Sequence, residues 1–65
     1  MENKENMEKI STLIEEGTKI RQSLPSKALD IFTRALNESE SESNEEFRTK
    51  SLFNIAITYL ILGNY

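Results

Sequence analysis

The chain has no cysteine, no histidine and no tryptophan, and it has a single proline and two glycines. Without cysteine no disulfide can form, and without cysteine or histidine the usual structural zinc sets cannot be assembled. Both absences bear on stability. A chain of 65 residues buries only about 60% of its unfolded surface, and small domains are normally helped by a disulfide, a metal or association with another chain. Association is the helper that remains. The same absences narrow the chemistry, since a nucleophile–base pair would have to use Ser, Lys or carboxylates, and none stands in a Gly-rich or metal-ligand spacing. The adjacent pairs Glu15-Glu16 and Glu45-Glu46 do not face each other on a helix. Neither an enzyme, nor a cofactor, nor a bound metal is therefore expected.

A block of positive charge is also missing. Eight basic residues stand against eleven acidic ones, for a net charge of −3, and the basic ones are scattered, so the electrostatic footprint of nucleic-acid binding is absent and an acidic membrane surface is disfavoured. No hydrophobic run is long. The most apolar stretch, Ile55 to Leu62, contains Thr58 and Tyr59 and falls well short of the ~20 residues that span a bilayer. The opening MENKENMEKIS is charged from its second residue and has no apolar segment of the kind a secretory signal requires. These features lead to the expectation of a soluble, cytoplasmic protein with no nucleic-acid or membrane partner.

What is present is helical periodicity. Residues 1–6 are polar and are expected to be disordered, with Asn3 or Asn6 available as a cap. Met7, Ile10, Leu13, Ile14, Gly17 and Ile20 recur at spacings of three and four, which predicts an amphipathic helix. A glycine inside it costs roughly 1 kcal/mol against alanine, so a close approach by a neighbouring helix at Gly17 is expected. Pro25 disfavours helical geometry at Leu24 and suits the first turn of a second helix, which is expected to run to about Asn37. Its apolar stripe is Ala28, Leu29, Ile31, Phe32, Ala35 and Leu36.

Residues 38–43 form an acidic Ser/Glu stretch expected to be a loop. Ser43-Asn44-Glu45-Glu46 then fits a capping box with Ser43 as the cap. The third helix, expected from about Asn44 to Leu62, is apolar nearly all round. Leu52, Ile55, Ala56, Tyr59 and Leu62 make one stripe, Phe53, Ile57, Leu60 and Ile61 another, and Ser51, Asn54 and Thr58 a thin polar seam. Such a helix is buried on more than one side; the two preceding helices are expected to cover one stripe and leave the other in need of a partner.

Leu52, Ile55, Ala56, Tyr59, Leu62, Gly63 and Tyr65, together with Ala28, Phe32 and Ala35, resemble the signature of tetratricopeptide repeats, helix-turn-helix units of 34 residues. The resemblance implies an all-α fold: an antiparallel αα-hairpin plus a third helix, part of an α-solenoid. Residues 7–37 would be a degenerate first hairpin, and residues 44–65 the first helix of the next unit, truncated at its turn. It further implies non-catalytic protein–protein interaction or scaffolding, in the N-terminal sensing or regulatory part of a larger signalling protein. Lys50, Phe53, Ile57, Leu60 and Ile61 would line the concave, peptide-holding side. Phe53 and Ile57 stand where some relatives carry the Lys and Asn of a carboxylate clamp, so that activity is not expected.

Two readings of the partner stay open, a foreign protein or peptide and another copy of the chain in a self-contained helical oligomer. The acidic stretch lacks the Asp/Asn–Gly arrangement of a calcium loop and is expected to be a solvated connector. Ser39, Ser41 and Ser43, each near acids, are candidate phosphorylation sites in a eukaryotic setting.

Overall fold

The computed structural model describes residues 4–63 and contains three helices and, among the described residues, no strand: α1 (Lys4–Ile20), α2 (Pro25–Ser41) and α3 (Glu45–Leu62). The expected all-α class is therefore met. Residues Met1–Asn3 and Asn64–Tyr65 lie outside the described part, and with them the cap expected at Asn3 and the turn residue Tyr65.

The periodicity of the first segment does what it predicts. Ile10 and Gly17 are buried on α1, with Met7, Leu13, Ile14 and Ile20 half-buried beside them. The helix starts earlier than Met7, however, so Lys4, Glu5 and Asn6 are helical where disorder is expected. One tie is visible: the Asn6 side-chain amide donates to a Glu42 carboxylate oxygen at 2.8 Å. Pro25 opens α2 as expected, behind a non-helical Leu24 that supplies no side-chain cap.

Pairs across the first two helices fix their relative direction. Asn6 meets Glu42, Lys9 meets Glu38 at 3.6 Å, and the Gly17 position lies against Phe32, so α1 and α2 run antiparallel. The α2 helix packs extensively on both neighbours, whereas α1 and α3 touch only sparingly. Its buried residues, Ala28, Phe32, Ala35 and Ser39, recur at helical spacing, and with Ile10 of α1 they make the centre of the molecule. Gly17 is required there by space. A Cβ on residue 17 would lie 2.5 Å from Cε1 of Phe32, well inside van der Waals contact.

The expected loop at 38–43 is a correction. The α2 helix continues through Ser41, and Ser39 is buried, its hydroxyl donating to the Leu36 carbonyl at 2.8 Å. Glutamate is a good helix former, and its drawback here is position: acids at a helix C-terminus oppose the macrodipole. Each acid finds a donor on another element. Glu38 pairs with Lys9 of α1 at 3.6 Å and Glu40 with Arg48 of α3 at 3.6 Å, while Glu42 accepts from Asn6. These ion pairs are largely exposed and contribute no more than about 1 kcal/mol each. Buried Ser39 is withdrawn from the set of accessible phosphorylation candidates.

The cap of α3 also differs by one residue. Ser43 sits at φ 55°, in the left-handed region, so it cannot cap; Asn44 does, its Oδ1 accepting from the Phe47 amide at 3.0 Å. Asn is among the best capping residues, and the acids Glu45 and Glu46 follow in the first turn, where the dipole favours them. At the other end Gly63 takes φ 78° and its amide returns to the Leu60 carbonyl at 3.2 Å, a left-handed stop that glycine adopts without strain.

Two stability measurements check this account. Gly17→Ala should lower stability by about 1–3 kcal/mol through overpacking against Phe32, reversing the ~1 kcal/mol gain that alanine gives in an open helix; chemical denaturation reads the sign. Ser43→Gly should raise stability by about 0.5–1 kcal/mol by relieving the left-handed serine, read as a higher thermal midpoint.

Candidate functional site

Between Lys50 and the end of the sequence there is no charged residue, so beyond its first turns α3 carries no charge of its own to dictate which side turns inward. The inward side is polar. Ser51, Asn54 and Thr58 are its buried residues, and their polar atoms are mostly satisfied locally. The Thr58 hydroxyl donates to the Asn54 carbonyl at 2.7 Å, and the Asn54 side-chain amide donates to the Lys50 carbonyl at 2.9 Å. The remaining Asn54 oxygen accepts from a guanidinium Nη of Arg21, just beyond the end of α1. Among the described residues, Nε of Arg21 and the hydroxyl of Ser51 are buried without a partner. Small side chains on this seam let α3 come close to the hairpin, and the Arg21–Asn54 bond joins the two non-consecutive helices.

That orientation leaves the large apolar residues outside. Leu52, Phe53, Tyr59 and Leu60 retain 41%, 66%, 42% and 61% of their accessible surface, and Ala56 is exposed between them. At about 100° per residue, Leu52, Phe53, Tyr59 and Leu60 all lie within about 60° of Ala56, and Ser51, Asn54 and Thr58 occupy the opposite side. Ile55, Ile57, Ile61 and Leu62 are half-buried on the flanks.

This geometry corrects the division into one covered and one open stripe. The hairpin covers the polar seam, and a single outward stripe draws on both expected ones: Phe53 and Leu60 from one, Leu52, Ala56 and Tyr59 from the other. Of the expected binding residues, Phe53 and Leu60 are open, whereas Ile57 and Ile61 are partly covered. Lys50 is exposed beside them, its ammonium 3.3 Å from Glu46 and 5.6 Å from the centre of the Phe47 ring. Ala28, Phe32 and Ala35 are buried, and Gly63 is an exposed helix stop. Arg21 was not anticipated as a structural partner; the signal for it is the lone amide, Asn54, in a seam that has to be satisfied once buried.

Among the described residues no group of three carboxylates gathers in a way that could hold a metal ion, and no helix is long and apolar enough to cross a membrane. No protein-family model, curated protein or solved structure matches the chain.

The seam makes a prediction of relative cost. Asn54→Ala leaves a partly buried guanidinium without its acceptor and should destabilise by about 1–3 kcal/mol. Arg21→Met removes the charge while keeping an apolar stem and should cost less, because it leaves a neutral amide oxygen rather than a guanidinium unpaired; strictly additive losses in the double variant, read by denaturant titration, would contradict the assigned bond.

Proposed function

We propose that the chain is a non-catalytic protein-interaction module that binds through the outer face of α3. The observation carrying this reading is the uncharged apolar stripe Leu52, Phe53, Ala56, Tyr59 and Leu60, exposed along α3. At roughly 200 Å² for each large side chain, it leaves on the order of 400 Å² of contiguous apolar surface open, in the size range at which patches on monomers are often functional. Covering it would release on the order of 10 kcal/mol before association costs, at about 25 cal/mol per Å².

The tetratricopeptide-type reading is the form of the module we favour. It is supported by the small-large-small set Ala28, Phe32 and Ala35 at the core of α2 and by the left-handed stop at Gly63. The open positions Leu52, Ala56 and Tyr59 are ones through which the resemblance implies packing on a further helix. A cytoplasmic scaffolding or regulatory role accords with the absence of cysteine.

Selection of displayed amphipathic helical peptides on the purified chain tests the reading. Peptides recovered on the wild type should bind at least tenfold more weakly to Phe53→Asp and to Leu60→Glu, a loss of about 1.4 kcal/mol or more, and equally well to the distant Lys27→Glu. Both outward variants should keep their helical circular dichroism, since neither residue is buried; Ile57→Asp is a poorer choice because Ile57 is half-buried. Unchanged binding in both outward variants contradicts the assigned face.

A further inference from the structure

We propose that the occupant of this face is a second copy of the chain, docked antiparallel about a twofold axis at Ala56; the proposal rests on the interaction reading above. The observation behind it is the symmetry of the exposed stripe. Outward from Ala56 toward either end of α3 stand an aromatic residue three positions away and a leucine four positions away: Phe53 and Leu52 on one side, Tyr59 and Leu60 on the other. All four are exposed and all lie within about 60° of Ala56. A twofold interface has to be complementary to itself, and this stripe reads the same from both ends.

The helical geometry determines which residues meet. In an antiparallel pair crossing at Ala56, Phe53 lies beside Leu60 of the second copy on one flank, and Tyr59 beside Leu52 of the second copy on the other. Each aromatic ring therefore packs on a leucine, four such contacts in all, around two facing alanines small enough to let the helices approach. In a parallel pair Phe53 would instead meet Leu52 of the second copy. The two arrangements are thus distinguishable by contact.

Charge selects the antiparallel one. The chain is acidic overall, at −3, but residues 51–63 carry no charge, so the seam itself meets no ionic repulsion. Parallel docking would set Glu45, which lies about 20° from Ala56 around the helix axis, opposite its own copy, a repulsion that Arg48 at 3.9 Å offsets in part. Antiparallel docking separates the two copies of Glu45 and places each Lys50 near the last turn of the other α3, which has no basic residue of its own and whose free carbonyls favour a cation. The area makes it a weak pair. Two such faces of on the order of 400 Å² each would bury on the order of 800 Å² of side-chain surface, near the ~1,000 Å² that a specific interface has to clear, so a concentration-dependent dimer is expected.

The natural absence of cysteine makes the test direct. Light scattering on the wild type over a concentration series should show a monomer–dimer equilibrium, and Leu60→Glu should weaken it at least tenfold with helical circular dichroism retained. Ala56→Cys should form a disulfide dimer under mild oxidation. A mixture of Phe53→Cys and Leu60→Cys chains should cross-link at least tenfold faster than either alone, because their Cα atoms fall within the ~4.4–6.8 Å a disulfide accepts. Preferential cross-linking of Phe53→Cys with Leu52→Cys would overturn the antiparallel arrangement. A wild type that stays monomeric while its selected peptides still need Phe53 and Leu60 overturns the second copy and leaves the interaction face standing. A monomer that also binds no peptide at this face overturns both.

Discussion

The polar seam of α3 is the constraint on which the rest of the molecule turns. Asn54 is buried with both ends of its amide engaged, one by the Lys50 carbonyl and the other by Arg21. Rotating α3 to bury its hydrophobic residues would return Asn54 and Thr58 to water and leave Arg21 without its acceptor. Burying the seam has the opposite consequence. Every large apolar residue between Leu52 and Leu62 is pushed to the flank or outside, because a helix has only one side to give to a two-helix platform. The exposed apolar face is therefore the complement of a packing decision made by three small polar residues.

The platform has its own requirement, contact at close range. Phe32 supplies the largest fully buried side chain, and it fits only because residue 17 has no Cβ. A glycine that weakens α1 as an isolated helix thus permits the ring that joins α1 to α2, and the packing gained outweighs a propensity loss of about 1 kcal/mol. At the opposite end of the hairpin the contacts are of another kind. There the acidic end of α2 is tied to Lys9, Asn6 and Arg48 through exposed or half-exposed pairs, which set geometry more than stability.

Much of this was legible in the sequence. Three helices, the break at Pro25 and the close approach at Gly17 all follow from spacing and backbone preference, which are local properties. The misjudged parts depended on tertiary partners. Residues 38–43 lack any apolar residue and so looked unable to pack, yet a single buried serine and acids answered from two other helices extend α2 to Ser41. Composition alone could not assign the inward side of α3 either. Its apolar residues surround the axis so evenly that periodicity points nowhere, and only the need to satisfy Asn54 against Arg21 breaks the tie. The candidate face was consequently legible as a set of residues and illegible as a surface: Phe53 and Leu60 are open as expected, while Ile57 and Ile61 are partly covered and Leu52, Ala56 and Tyr59 replace them.

The small core bears on the proposed association. The fully buried hydrophobic residues among those described are Ile10, Ala28, Phe32 and Ala35, two of them alanines, and a core of that size contributes little against a conformational entropy of about 1–2 kcal/mol per ordered residue. The stripe of α3 leaves Leu52, Phe53, Tyr59 and Leu60 each more than two-fifths exposed. A chain with no disulfide and no metal ligands of the usual kind cannot make up the difference covalently, so the surface left on α3 is the main reserve of stabilisation available to it. Covering that stripe would then bind a partner and complete the fold in the same step. Folding and association are expected to be thermodynamically linked, with stability rising as the occupant's concentration exceeds its dissociation constant.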